Sequence, residues 1–300
     1  MARMRRAILA AALLAGCAGA AAQAPWTVTR YPQDEARAWW DAEWWEHGRL
    51  PVPANHEVRS RAGSYRSGGV EVPYELHVPQ GAGRFPVVVF LHGRRGIDEL
   101  TRLVPLRLAA RGFTVLAPDL FSGRFIDKFP VRHDPALEED AARAIDHALA
   151  LPEARGQAKT CVVSHTRGGY YALKALVSGT RQAKAACYVS YYPHWQHPEA
   201  PEAMQVYQFA PEVEQLRVPV LVFLGEHEQY QRARPILAGV EALRAKQRDA
   251  QVIVYPGVGR GFDFRPREVR TLADDLAAMD AMQRTARFLR AHLRAHLTPG

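Results

Sequence analysis

Lysine is scarce in this chain of 300 residues, although basic residues are common. Of the 39 lysines and arginines, five are lysines, and the formal net charge is +8. The sequence also lacks a basic low-complexity run, a DNA- or RNA-binding motif and an internal repeat. Nucleic acid is therefore not an expected partner, because its binding needs basic side chains clustered on one surface.

No apolar run near the N-terminus is long enough to span a bilayer. Residues 7–15 are apolar and follow three arginines, a pattern typical of a signal peptide rather than a transmembrane helix. The sequence Leu14-Ala15-Gly16-Cys17 comes next and resembles the lipobox of bacterial lipoproteins. We therefore predict a signal peptide over residues 1–16 and lipidation of Cys17, followed by a linker over residues 17–31.

Small residues after Cys17 leave a second interpretation open. Ordinary signal-peptidase cleavage after Ala22 or Ala24 would release a soluble mature protein. Both interpretations export the chain. The expected location is the periplasm, with the membrane as a partner through the lipid anchor.

Cysteine is also rare, with three residues in the whole chain. Besides Cys17, these are Cys161 and Cys187, and both lie in predicted buried strands that neighbour each other. An exported compartment permits a disulfide. Two buried thiols acting as small apolar side chains are the preferred prediction.

Tryptophan is concentrated at one end, because five of the six tryptophans precede residue 46. We predict a Trp-rich N-terminal helix within residues 32–50, with Asp34 near its start. This helix is expected to pack on the main domain and bury its large aromatic surface. A membrane-surface or ligand-stacking platform is the alternative.

Apolar runs alternate with amphipathic segments from residue 57 to residue 297, which we predict to be one domain. This alternation predicts an α/β fold with a mostly parallel central sheet and helices on both faces. Its functional loops should follow the carboxyl ends of the strands. The predicted strands are 70–78, 86–91, 113–117, 161–163, 185–190, 218–224 and 251–255. The predicted helices are 98–111, 135–149, the segment after residue 167, 230–246 and 268–296.

The stretch Lys159–Leu176 predicts a strand, a sharp turn and a helix. Small residues at 164 and 168 allow the strand and the helix to approach each other closely. This is the requirement of a nucleophile elbow, Gly-x-nucleophile-x-Gly. The frame here is Ser164-His165-Thr166-Arg167-Gly168, so Thr166 occupies the nucleophile position.

Together with other landmarks, this elbow makes the chain resemble the dienelactone hydrolase family of α/β-hydrolases. The similarity runs from about residue 70 to about residue 293. The other landmarks are Phe90-Leu91-His92-Gly93, Ala117-Pro118-Asp119-Leu120-Phe121, the segment from Val218 to Gly225, and Tyr255-Pro256-Gly257-Val258-Gly259-Arg260-Gly261-Phe262. The resemblance implies an α/β-hydrolase fold, a small ester or lactone as substrate, and no cofactor.

The resemblance also implies which residues occupy the positions of a catalytic triad. Glu228 stands at the acid position, after Gly225-Glu226-His227, and Arg260 stands where the family has histidine. An arginine cannot accept a proton at ordinary pH, so it cannot act as a general base. A β-branched residue such as Thr166 also fits the positive φ of an elbow poorly. Both substitutions point to a site with little or no triad activity.

Other histidines are expected to have structural roles or to lie away from the base position. His165 should pack against a neighbouring strand, and His92 belongs to the strand end that forms the oxyanion hole. His227 adjoins the acid position, while His194 and His197 lie in a long loop that could reach over the site. A metal bound by that pair is disfavoured, because no further ligand accompanies them at metal-site spacing.

Arginines surround the predicted site. Arg94 and Arg167 are expected to supply backbone N–H groups to the oxyanion hole. Arg95, Arg124 and Arg265 are the predicted ligand-binding arginines, since family members hold a substrate carboxylate on these loops. Two functions follow from this pattern. One is an exported ester or lactone hydrolase, and the other is an inactive family member that binds an anionic small molecule or a protein partner.

Overall fold

The computed structural model describes residues 27–28, 56–197 and 200–297. The predicted signal peptide (1–16), Cys17 and the Trp-rich segment (32–50) lie outside the described residues. Two residues of the predicted linker, Thr27–Val28, form a short strand.

A nine-stranded sheet crosses the molecule in the order β1-β9-β8-β7-β6-β4-β5-β3-β2. All neighbouring strands pair in parallel except β2 with β3 and β3 with β5. This confirms the predicted α/β fold with a mostly parallel sheet. The strands are β1 (Thr27–Val28), β2 (Val58–Ser67), β3 (Val70–Pro79), β4 (Val87–Leu91), β5 (Thr114–Pro118), β6 (Thr160–His165), β7 (Ala185–Tyr191), β8 (Val220–Gly225) and β9 (Ala250–Tyr255).

In the described residues, six α-helices connect the strands or follow them. The second and third pack against each other, and the first contacts the last. The helices are α1 (Glu99–Ala110), α2 (Ala136–Ala150), α3 (Gly168–Val177), α4 (Arg181–Lys184), α5 (Tyr230–Ala245) and α6 (Leu272–Leu293). The last helix begins four residues later than predicted. Thr271 caps it, and its side chain and that of Asp274 form reciprocal hydrogen bonds with each other's backbone N–H groups.

Strand β2 was not predicted from the sequence. Its residues, Val58–Ser67, are rich in arginine and serine, and most are exposed at the edge of the sheet. Such a strand carries no apolar alternation, and it forms because β3 offers a complete antiparallel partner. Charged side chains along an edge strand also discourage pairing with other molecules.

The central strands form the core. Every residue of β4, β5, β6, β7 and β8 is buried. A parallel sheet covered on both faces requires such continuous apolar runs, which explains why the sequence predicted these strands well. Among the helices of the described part, none combines the length and apolar character needed to cross a membrane.

The prediction of two free buried thiols is wrong. Cys161 and Cys187 form a disulfide, with their Cα atoms 4.8 Å apart. They are register partners on the neighbouring parallel strands β6 and β7, and both are fully buried. The pairing of the strands brings the two sulfur atoms together inside the core, within bonding distance of each other.

Candidate functional site

The elbow between β6 and α3 places Thr166 at the carboxyl edge of the sheet. Thr166 has φ of 47°, which is the left-handed conformation that a nucleophile elbow demands. The turn is tight, because a Cβ at Gly168 would overlap the carbonyl oxygens of Leu91 and His92. The Thr166 carbonyl oxygen accepts hydrogen bonds from the N–H of His194 at 2.8 Å and of Gly169 at 3.0 Å.

The acid and base positions of the triad meet as an ion pair. Glu228 follows β8 and is 8% exposed, and its Oε2 accepts a hydrogen bond from Arg260 Nη1 at 2.8 Å. The other oxygen, Oε1, accepts from the N–H of Gln229 at 3.0 Å. The carboxylate therefore orients a guanidinium where a triad would orient an imidazole. Arg260 also lies over the ring of Tyr192, 5.4 Å from its centroid.

Within the part of the chain that the structure describes, the Thr166 hydroxyl does not belong to a hydrogen-bonded chain of the Ser–His–Asp kind. Within the described residues, no histidine side chain forms a hydrogen bond with it. His92 Nε2 instead accepts from the N–H of Leu120 at 3.0 Å. His227 is exposed to solvent. Arg260, at the base position, has no lone pair with which to accept the hydroxyl proton, and neither His92 nor His227 is hydrogen-bonded to that hydroxyl.

His165 belongs to a buried network behind the elbow. Its Nε2 lies 3.3 Å from Oδ2 of Asp263, and the hydroxyl of Tyr192 donates to Oδ1 of the same carboxylate. Burial lowers the pKa of His165, although the Asp263 carboxylate opposes this effect. Burial and Asp263 both raise the pKa of Tyr192. The network ties the Arg260 loop to the sheet and has a positioning role.

A pocket of about 260 Å³ opens above Thr166. It holds four arginines and no acidic residue among its lining side chains. The lining residues are Gly93, Arg94, Arg95, Thr101, Phe129, His165, Thr166, His194, Gln229, Arg232, Arg260 and Phe264. We call it the Thr166 chamber. A pocket with this lining favours a negatively charged ligand.

A second pocket of about 210 Å³ adjoins the first. His194 and Arg232 line both pockets, so they form the boundary between them. The other lining residues are Val131, His133, Arg167, Tyr170, Gln196 and Gln205. We call this pocket the side chamber. Because the Thr166 chamber and the side chamber share two lining residues, we treat them as parts of one cleft.

A wider depression of about 860 Å³ lies at the opposite edge of the sheet. Residues at the amino ends of strands line it, among them Lys159, Pro219 and Arg248. The family's chemistry takes place at the carboxyl edge, so the smaller Thr166 chamber is the candidate site despite its size.

Only part of the positive charge around the cleft is neutralised. Arg95 pairs with Asp98 at 2.5 Å, and Arg260 pairs with Glu228. Within the described residues, Arg94 and Arg232 have no carboxylate partner. Arg94 donates to the carbonyl oxygen of Phe129 at 2.7 Å, and Arg232 donates to the side-chain oxygen of Gln196. Burial lowers the pKa of Arg232, and the charge of Arg260 lowers it further.

His194 is the neutral member of this cluster. Burial lowers the pKa of its imidazole well below the ordinary value, and Arg260, Arg232, Arg167 and Arg94 add to the effect. The ring therefore carries no charge near neutral pH. Among the described residues, no carboxylate is hydrogen-bonded to it, which distinguishes it from the base of a triad.

The two predicted oxyanion-hole residues lie on either side of Thr166. The backbone N–H groups of Arg94, after β4, and Arg167, before α3, donate no hydrogen bond within the described residues. They remain available to an oxygen atom of a ligand. The guanidinium of Arg167 is held by main-chain carbonyls, including that of Pro130 at 2.8 Å.

Two of the predicted ligand-binding arginines have other roles. Arg124 forms a bidentate ion pair with the fully buried Asp140, at 2.5 and 2.8 Å, and does not line the chamber. Arg265 pairs with Asp274 at 3.0 Å and donates to the Arg260 carbonyl oxygen at 3.3 Å. Arg265 therefore supports the loop that carries Arg260. Arg95, the third predicted ligand-binding arginine, lines the chamber.

Arg232 is the site residue that the sequence did not identify. It lies in the first turn of α5, directly after the loop that carries Glu228. The sequence predicted the helix on which it lies, but nothing distinguished it from the many other arginines.

Among the residues that the structure describes, no group of three or more His, Cys, Asp or Glu side chains could hold a metal ion.

Comparison with known proteins agrees with the fold. The model of the dienelactone hydrolase family matches residues 74–293. No curated protein is significantly similar in sequence.

Solved structures share the fold at low sequence identity. A proposed dienelactone hydrolase from Klebsiella pneumoniae is 21% identical, with a TM-score of 0.60 over 79% of this chain and 99% of that one. A dienelactone hydrolase-like promiscuous phosphotriesterase from metagenomic libraries is 20% identical, with a TM-score of 0.61 over 77% and 98%. A bacterial brefeldin A esterase is 17% identical, with a TM-score of 0.63 over 89% and 90%.

Proposed function

The chain belongs to the dienelactone hydrolase family of α/β-hydrolases, and we propose that its cleft binds an anionic small molecule without triad catalysis. The observation that carries this proposal is the Thr166 chamber, which four arginines line and no acidic side chain enters. Charge-assisted hydrogen bonds from guanidinium groups recognise carboxylates and phosphates strongly. The base position, by contrast, holds Arg260, which cannot remove a proton.

Anion binding can be tested by thermal shift and calorimetry with benzoate, succinate and inorganic phosphate. At least one of these anions should raise the melting temperature of the wild type in a saturable way. Arg232→Met should weaken binding by about 10- to 100-fold, since a hydrogen bond to a charged group contributes about 1.5–3 kcal/mol. Arg232 is the better choice because Arg260→Ala would leave the Glu228 carboxylate buried without its partner.

A matched control is available on the same helix. Arg234 is exposed, lies two residues after Arg232 and stacks on Tyr207 at 4.6 Å from the ring centroid. Arg234→Met removes the same charge and should leave anion binding unchanged. Equal losses in the two variants would show a general charge effect, and no saturable shift in the wild type would end the proposal.

Hydrolysis of an ester or lactone at Thr166 is the second candidate function. It is favoured by the elbow conformation of Thr166 and by the available N–H groups of Arg94 and Arg167. Oxyanion stabilisation alone leaves a small rate advantage over water when triad members are missing. Any such activity should be slow and should fall in Thr166→Ala.

Export to the periplasm, with a lipid anchor on Cys17, remains our proposal for the location. The disulfide between Cys161 and Cys187 supports it, because disulfides persist in oxidising compartments. Globomycin-sensitive processing and labelling with radioactive palmitate would demonstrate lipidation. Loss of labelling in Cys17→Ser would assign the acyl chain, whereas unlabelled but processed protein would favour cleavage near Ala22 or Ala24.

A further inference from the structure

The cleft holds more positive charge than a single carboxylate can balance. Five guanidinium groups line the two chambers, from Arg94, Arg95, Arg167, Arg232 and Arg260. Two of them are neutralised by ion pairs with Asp98 and Glu228. Within the described residues, the remaining three have no carboxylate partner. A ligand with one negative charge would leave two of these charges in a partly buried cleft.

The unneutralised charges converge on one region. Arg94 and Arg232 line the Thr166 chamber together with Arg260. Two guanidinium nitrogens there, Nε of Arg94 and Nη2 of Arg260, are buried and have no hydrogen-bond acceptor. Arg94, whose N–H group is available, lines the same chamber, whereas Arg167, which directly precedes the ten-residue helix α3, lines the adjoining side chamber. Many donors around one point suit a compact group with several acceptor oxygens.

Resting on the proposed anion binding, we propose that the ligand is a phosphate monoester. Its phosphoryl dianion occupies the Thr166 chamber between Arg94, Arg232 and Arg260. Its organic part extends past His194 into the side chamber, between Val131, Tyr170 and Gln205. A tetrahedral dianion neutralises two of the three surplus charges at one point and offers several oxygens to the converging donors, whereas a monocarboxylate neutralises one charge and separated carboxylates do not place two charges at one point.

His194 should take up a proton when such a ligand binds, and this can be measured separately from charge attraction. It lies between the chambers, and the charged groups that face it are Arg94, Arg167, Arg232 and Arg260. Tyr170 and His133 also line the side chamber, and His133 Nε2 is 2.7 Å from a Glu138 oxygen. Glu228 is paired with Arg260.

The empty cleft keeps His194 neutral, because burial and the four arginines lower its pKa. A bound dianion cancels most of that field, so the imidazole should take up a proton when the ligand binds. Binding should consequently strengthen as the pH falls from alkaline to neutral.

Calorimetry at constant ionic strength tests the ligand class. Phenyl phosphate is compared with benzoate, which has one charge, and with succinate, whose two charges are separated. We expect phenyl phosphate to bind at least about 10-fold more tightly than either, the equivalent of one extra charge-assisted hydrogen bond. Gln205→Trp, which fills the side chamber, should weaken phenyl phosphate and leave inorganic phosphate unchanged.

Sulfate tests the role of His194, because it is a tetrahedral dianion that does not itself titrate near neutral pH. Titrations in two buffers of different ionisation enthalpy count the protons taken up. Uptake should be a measurable fraction of one proton in the wild type and should vanish in His194→Gln, which keeps a hydrogen-bonding side chain.

These experiments distinguish failure of the phosphate monoester proposal from failure of anion binding in general. Benzoate or succinate binding as tightly as phenyl phosphate would overturn the phosphate monoester and leave anion binding intact. Equal proton uptake in His194→Gln and the wild type would remove His194 from the site. Binding of none of these anions would refute both proposals.

Discussion

The double variant Thr166→Ser with Arg260→His should convert the site into an ester hydrolase. The serine keeps the hydroxyl but removes the methyl group that a residue at φ of 47° accommodates poorly. The histidine replaces a group that cannot accept a proton with one that can. Glu228 is already placed to orient it, because its Oε2 lies 2.8 Å from the Arg260 side chain.

The expected gain follows from what a triad contributes. Removing a nucleophile or base from such a triad lowers turnover by about 10⁴- to 10⁶-fold. The imidazole is shorter than the guanidinium, although the long arm of Glu228 offsets part of that difference. We therefore expect the double variant to gain at least about 100-fold in kcat/KM, less than a full triad provides. Each single variant lacks one partner and should gain less than about 10-fold.

Hydrolysis of p-nitrophenyl acetate measures these effects directly. Arg234→His, combined with Thr166→Ser, is the control, because it places a histidine on an exposed position of α5. If the wild type already shows ordinary esterase turnover that Thr166→Ala abolishes, the judgement that Arg260 disables the site is wrong. A double variant that folds but gains no activity would show that the scaffold no longer supports a triad.

Two further predictions concern stability. Replacing both Cys161 and Cys187 by alanine should lower the free energy of unfolding by about 3–4 kcal/mol in urea titrations, since the bond closes a loop with a sequence separation of 26; an unchanged midpoint would contradict this. The pKa of Glu75 is lowered from 4.5 to about 2 by hydrogen bonds to His77 and Arg102, so its stabilisation is complete above pH 4.5 and disappears as the pH falls towards 2. Glu75→Gln should therefore cost about 1–2 kcal/mol at pH 7, after allowance for solvent screening, and much less near pH 2.5.

The parts of the fold that were predictable are those in which local pattern and tertiary packing agree. Strands β4 to β8 are apolar throughout because both faces of the sheet are covered, and the sequence shows this directly. The elbow was recognisable because glycine at position 168 is required by the close approach of Leu91. The family resemblance placed Glu228 and Arg260 at the acid and base positions, but it did not predict the ion pair that they form.

Features decided by distant partners could not be predicted. Arg124 and Arg265 resemble the other arginines in sequence, but Asp140 and Asp274 pair with them in the fold. Arg232, in contrast, faces the cleft without such a partner among the described residues. The strand β2 exists only because β3 pairs with it.

The disulfide is another feature that depends on a partner distant in sequence. Burial of Cys161 and Cys187 was predictable, but a bond between them required the register of β6 on β7. That register includes a shift next to Cys161, which no local pattern reveals.

The ion pair between Glu228 and Arg260 explains how the altered site remains stable. A buried carboxylate needs a permanent partner, and Glu228 is 8% exposed while its partner's side chain is 24% exposed. Arg260→Ala should therefore cost about 2–3 kcal/mol of unfolding free energy, somewhat less than the roughly 3–5 kcal/mol for a fully buried pair, because the Arg260 side chain is partly exposed. Glu228→Gln should cost less, because the partly exposed guanidinium can still be hydrated.

A double-mutant cycle measures this coupling. Adding Glu228→Gln to Arg260→Ala removes the unpaired carboxylate, so the double variant should be more stable than Arg260→Ala alone. Additive losses in urea unfolding would mean that the two side chains do not depend on each other. Coupling would mean instead that Arg260, which occupies the base position, stabilises the buried Glu228 side chain, so that replacing Arg260 alone lowers the stability of the protein.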